Sequence, residues 1–154
     1  MSEPELVELA PVTTAVVRGV VRPAGLRNFF DTAFGALAHT LAAQGIEVRG
    51  PAFGLFRGIP GDTLDLEVGF TTAGEVRPEA DVVAATLPGG PVARLVHAGS
   101  FDGLGTSWER LRDWIAAQGL TPGAERWECY VTRPTPDLDP HDLRTELNWP
   151  VTRR

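Results

Sequence analysis

No lysine occurs anywhere in the 154 residues; all fourteen cations are arginine, as a GC-rich coding bias would give. Chemistry that begins with a Schiff base on a lysine amine is therefore excluded. The single cysteine, Cys129, rules out an intramolecular disulfide and a cysteine-based zinc cluster. Three histidines, His39, His97 and His141, are too scattered for a metal motif, and neither metal nor cofactor is expected. No apolar run reaches the ~20 residues of a membrane helix. The opening Met1-Ser2-Glu3-Pro4-Glu5 is acidic, unlike a secretory signal. These absences predict a soluble, cytoplasmic protein. A formal net charge of −6 also argues against a nucleic-acid surface, which needs clustered cations.

What is present is an ordinary globular composition, 43% hydrophobic and 22% charged, at a length that suits one domain over residues 1–154. A β-branched run from Val7 to Val21 predicts a strand kinked at Pro11. Leu26, Phe30, Ala33, Phe34, Leu37 and Leu41 recur at helical spacing, and Gly45 supplies a left-handed cap after Gln44. Strands are predicted at Pro51–Arg57 and Leu64–Phe70, joined by a turn at Ile59-Pro60-Gly61-Asp62. Two more, Val82–Leu87 and Pro91–His97, flank Pro88-Gly89-Gly90. Leu104, Trp108, Leu111, Trp114 and Ile115 mark a second helix that stops at Gln118-Gly119. A strand at Arg126–Val131, a proline-rich loop over Arg133–Pro140 and a terminal or edge strand at Leu143–Val151 complete the chain.

The order strand, helix, strand, strand thus occurs twice, over about 7–72 and 82–151. Ala42-Ala43-Gln44-Gly45-Ile46 is matched by Ala116-Ala117-Gln118-Gly119-Leu120, Phe53-Gly54-Leu55-Phe56 by Trp127-Glu128-Cys129-Tyr130, and Leu66-Glu67-Val68 by Thr145-Glu146-Leu147. An internal duplication of a βαββ unit explains this. The expected fold is α+β: an antiparallel sheet with two helices on one face and a groove on the other, at the seam between halves.

One residue stands out in that frame. Glu128 is an acid inside an apolar strand, and its repeat partner is Gly54. Alternation puts Arg126, Glu128 and Tyr130 on one face and Trp127, Cys129 and Val131, which read as packed core, on the other. A carboxylate beside an aromatic suits a cavity wall; the bland alternative is a structural ion pair with Arg126 or Arg94. Cys129 reads as an inert buried thiol and His97 as a turn or helix-capping histidine. Ser100, His97 and Asp102 lack the context of a nucleophile elbow. Asp137 to Asp142 lack calcium-loop spacing and read as a solvated turn.

His97-Ala98-Gly99-Ser100-Phe101-Asp102-Gly103-Leu104, Trp127-Glu128-Cys129-Tyr130 and Thr145-Glu146-Leu147-Asn148-Trp149-Pro150-Val151 together resemble the GyrI-like small-molecule-binding family. The likeness runs from about Val7 to Val151. It implies a groove that takes lipophilic, cationic aromatic compounds around a buried glutamate, here Glu128. Tyr130, Phe101 and Trp108 would be lining aromatics, Phe56 their counterpart in the first repeat, and Glu146 and Asn148 inward positions of the final strand. Many relatives carry an aromatic where Asn148 stands, so the resemblance implies a wetter or wider corner here. Other branches of this fold hydrolyse cyclopropane rings of alkylating natural products, which would make Glu128 catalytic, and small members inhibit DNA gyrase by protein contact. The partner expected first is a small lipophilic or cationic organic molecule, with no direct nucleic-acid or membrane partner.

Overall fold

Pro11 has no N–H to give a ladder, and there the β-branched run from Val7 to Val21 divides. In the computed structural model, which describes residues 3–58, 62–132 and 137–153, it forms two strands, β1 (Glu5–Leu9) and β2 (Val12–Val21), rather than one kinked strand. A short 3-10 turn at Pro23–Gly25 leads into α1 (Leu26–Gln44). This helix turns Ala33, Leu37 and Leu41 inward and ends where Gly45 adopts φ 65°. Ile46 N–H returns to Leu41 O at 3.0 Å, closing the helix end. Then come β3 (Val48–Arg57), β4 (Leu64–Thr72), β5 (Val82–Leu87) and β6 (Gly90–Ala98). A 3-10 turn at Phe101–Gly103 starts α2 (Leu104–Ala117), followed by β7 (Leu120–Pro122), β8 (Glu125–Tyr130) and β9 (Arg144–Arg153). Ile59, Pro60 and Gly61 of the expected turn, and Arg133 to Pro136 of the expected loop, lie outside the described residues.

The fold class is α+β as expected, with two helices, nine strands and antiparallel pairing throughout the described ladders. Contacts divide the chain into two compact units, Pro11–Pro88 and Met1–Ala10 with Gly89–Arg154. The first has strand order β3-β4-β2-β5, with α1 packed on Ala15, Val17, Leu66, Val68 and Val82. The second has order β1-β6-β9-β8, and β7 pairs with the end of β9. Its core joins Leu111 and Ile115 of α2 to Ala93, Leu95, Leu147 and Trp149. The units divide in sequence at Ala10–Pro11 and Pro88–Gly89: β5 pairs with β2, and β6 takes β1 as a neighbour. β9 is also no edge strand, because β6 and β8 flank it on both sides.

Candidate functional site

The site is built from β8 outward, within the second unit. Register places Glu128 opposite Leu147 and Tyr130 opposite Thr145. Leu147 is fully buried against Trp108, Leu111 and Ile115 of α2. Glu128 and Tyr130 therefore turn to the side of the sheet that carries the helix. The sequence reading had put the helices and the carboxylate on opposite sides. Alternation separates the two faces of a strand but does not say which one a helix covers.

On that side Glu128 is 7% exposed. The indole N–H of Trp108, on α2, donates to its Oε2 at 2.8 Å, and the Tyr130 hydroxyl donates to Oε1 at 3.1 Å. Both donors are neutral. Among the described residues no cation lies within ion-pair distance of this carboxylate, so neither Arg126 nor Arg94 pairs with it. Burial raises the Glu128 carboxyl above the ordinary glutamate range; the bonds from Trp108 and Tyr130 and the charges of Arg126 and His97 oppose that shift without cancelling it. Burial, with the adjacent Glu128, pushes the Tyr130 phenol well above its ordinary range too, so it stays a proton donor.

Three other groups complete this side. Phe101, in the 3-10 turn before α2, sets its ring edge-on to Tyr130 at 6.0 Å between centroids. It is 42% exposed, so aromatic surface runs from the buried acid out to solvent. His97, opposite Thr145 on β6, clamps the turn: Nε2 meets the Ser100 carbonyl and Nδ1 meets Ser107 Oγ, both at 2.7 Å. A carbonyl only accepts, so Nε2 carries a proton and donates it to the Ser100 carbonyl. The Thr145 hydroxyl, fully buried in the same row, has no hydrogen-bond partner among the described residues.

The remaining candidates lie elsewhere. Glu146 and Asn148 face the opposite side of the sheet, across from Cys129 and Trp127. There Arg94 holds both, with Nη2 3.3 Å from Glu146 Oε1 and Nε donating to Asn148 Oδ1 at 2.9 Å. Cys129 stands on this side as a half-buried thiol whose pKa burial pushes up to about 12, so it is inert at neutral pH. Phe56 belongs to the first unit and packs on its core. A surface hollow of about 390 Å³ lined by Leu6, Trp114, Leu120 and Arg153 contains none of the candidates. Two residues of the site were missed from sequence, Arg126 and Trp149. The guanidinium of Arg126 rests 4.8 Å from the Trp108 ring and 5.0 Å from the Trp149 ring. Its place two residues before Glu128 was the available signal.

The antiparallel sheet with its two helices matches the fold of solved structures. The C-terminal domain of EcmrR superposes with a TM-score of 0.86 at 17% identity, covering 100% of this chain and 99% of that one. In the EcmrR–DNA complex the TM-score is 0.85 at 16% identity, and the 99% of this chain that is covered spans only 58% of the regulator. SAV2435 bound to tetraphenylphosphonium gives 0.65 at 16% identity, covering 97% of this chain and 94% of that one. A hydrolase from Listeria innocua gives 0.67 at 15% identity, covering 97% of this chain and 92% of that one. At such identities the likeness is one of fold. No curated protein matches. The family model for the GyrI-like small molecule binding domain matches residues 2–152, and the chain belongs to that family. Among the described residues no helix is long and apolar enough to cross a membrane.

Proposed function

We propose that this protein captures or senses lipophilic, cationic aromatic compounds, with Glu128 neutralising the cation and Tyr130, Trp108 and Phe101 supplying the aromatic wall. The observation that carries this is the buried carboxylate itself: its hydrogen bonds come only from an indole and a phenol, and it lacks an ion-pair partner among the described residues. An unpaired buried carboxylate is costly, and a cationic guest removes that cost. The phosphonium bound by SAV2435 is a cation of the right character. Titration with tetraphenylphosphonium tests the reading. Glu128→Gln should weaken binding by about 10- to 100-fold, the worth of roughly 2 kcal/mol of attraction between opposite charges about 7 Å apart in a partly desolvated site, while a neutral aromatic of similar size changes less than about twofold. Equal loss for both ligands would sink the charge-matching idea.

The raised Glu128 carboxyl, bonded to a phenol, favours a second reading as a hydrolase in which Glu128 moves a proton to or from water. The hydrolase of the same fold supports it. Incubation with an electrophilic cyclopropane-containing compound, followed by mass spectrometry for the hydrated product, separates turnover from binding. Internal duplication belongs to the same proposal. Gly54 pairs with Val68 as Glu128 pairs with Leu147, and Leu55 with Glu67 as Cys129 with Glu146. A cytoplasmic setting fits the one unpaired thiol.

A further inference from the structure

Arg126 is oddly placed for an arginine. Its guanidinium carries five donors, yet among the described residues it makes no ion pair and no hydrogen bond. What holds it is a corner of two indoles. Trp108 from α2 and Trp149 from β9 meet at 83°, with centroids 5.5 Å apart. The guanidinium carbon lies over both rings, at 4.8 and 5.0 Å. Both buried indoles are fixed at their N–H edges by hydrogen bonds, Trp108 to Glu128 at 2.8 Å and Trp149 to the Gly123 carbonyl at 2.9 Å, and Arg126 covers a face of each. Such a corner is a cation receptor, since a ring face attracts positive charge within about 6 Å.

We propose that the Trp108–Trp149 corner is a cation subsite continuous with Glu128, taking quaternary phosphonium or ammonium ligands, and that Arg126 is its built-in occupant, displaced when such a ligand binds. This rests on the reading of Glu128 as a cation-binding acid and adds a competitor to it. Continuity comes from Trp108, whose N–H edge serves the carboxylate while its face serves the guanidinium. Arg126 is also a weakly held occupant: burial lowers its pKa most, and nearby Arg112 opposes its charge while Glu128 favours it. A flexible side chain leaving toward water, where its donors find acceptors, is an inexpensive exit. The design sets a threshold, because only a ligand that satisfies both carboxylate and indoles better than Arg126 will enter.

The test is a titration of tetraphenylphosphonium into wild type, Arg126→Gln, Arg126→Lys and Glu128→Gln, with tryptophan emission and thermal melting as folding controls. Removing the occupant in Arg126→Gln should tighten binding by about 3- to 30-fold, with Arg126→Lys between it and wild type. A wild type that binds nothing beside an Arg126→Gln variant that binds would give the same support. Unchanged or weaker binding in a folded Arg126→Gln variant overturns the proposal, and so does absence of binding in every variant. If Glu128→Gln loses the cation selectively while Arg126→Gln gains nothing, only the built-in occupant fails and the proposed function stands. If Arg126→Gln unfolds, Trp149→Leu decides: it should weaken phosphonium binding, and unchanged affinity overturns the proposal.

Discussion

At the scale of single residues, the second unit keeps two polar groups in places that do not stabilise the fold. Glu128 is the larger case. Its carboxyl is raised by burial in the folded state, so folding favours the protonated form. A group shifted upward contributes fully below its unfolded pKa, and that contribution is lost as pH rises through the folded pKa. As pH rises above the ordinary glutamate range, Glu128 therefore weakens the protein. Glu128→Gln, which keeps an acceptor for the Trp108 indole, is expected to raise stability at pH 8 by about 1–2 kcal/mol, roughly 3–6 °C in Tm. That advantage should shrink toward zero as pH falls into the ordinary glutamate range; a gain constant from pH 8 to pH 4 would place its origin in packing instead. Thr145 is the smaller case, a fully buried hydroxyl with no partner among the described residues. Thr145→Val keeps the shape and removes the orphan, and chemical denaturation should show about 1–2 kcal/mol of added stability. A loss of stability would mean that a water serves the hydroxyl.

At the scale of elements, the same residue type does opposite things on two strands. Glu67 on β4 is buried to 3% side-chain exposure, but its Oε2 receives Arg18 Nε and Arg57 Nη2, both at 2.9 Å. Arg18 is more than half exposed and Arg57 about a third, so solvent screens part of this interaction and each guanidinium can turn to water if its partner goes. Glu67→Gln should thus destabilise by about 1–2 kcal/mol rather than the 3–5 of a fully buried pair, read from urea unfolding at pH 7. Opposite signs for the two glutamate-to-glutamine changes are the expected contrast, and matching signs would contradict it. Here the sequence was partly legible. Helix ends at Gly45 and Gly119 were readable because a left-handed φ, 65° and 74°, marks a glycine cap. Alternation on β8 correctly grouped Arg126, Glu128 and Tyr130. Which group met α2 was not legible, because both faces of β8 carry aromatics and the deciding contact, Leu147 under Trp108, comes from other elements. For the same reason Glu146 and Asn148 read as inward-facing, since inward had no fixed side until β9 was seen between β6 and β8.

At the scale of the whole molecule, the order of elements was legible in the sequence but the partners of β1 and β5 were not. Both strands are short, and nothing local decides which edge each joins. The buried acid was legible because it breaks an apolar pattern, and its consequence for the whole protein is a linkage between cation binding and proton release. The groups facing Glu128 are Trp108 from α2, Arg126 and Tyr130 from β8, and His97 from β6. A cation binds the carboxylate, so below the folded pKa of Glu128 it must expel a proton, and affinity rises with pH by at most about tenfold per unit. Above that pKa affinity levels off. Calorimetric titration of tetraphenylphosphonium between pH 5 and 8, repeated in buffers of different ionisation heat, should therefore show tightening with pH and release of a fraction of one proton per ligand. Glu128→Gln should abolish the release. If the pH dependence survives in that variant, it does not come from the Glu128 carboxyl. If wild type shows neither release nor pH dependence, Glu128 is already ionised across the whole range, and burial does not set its charge.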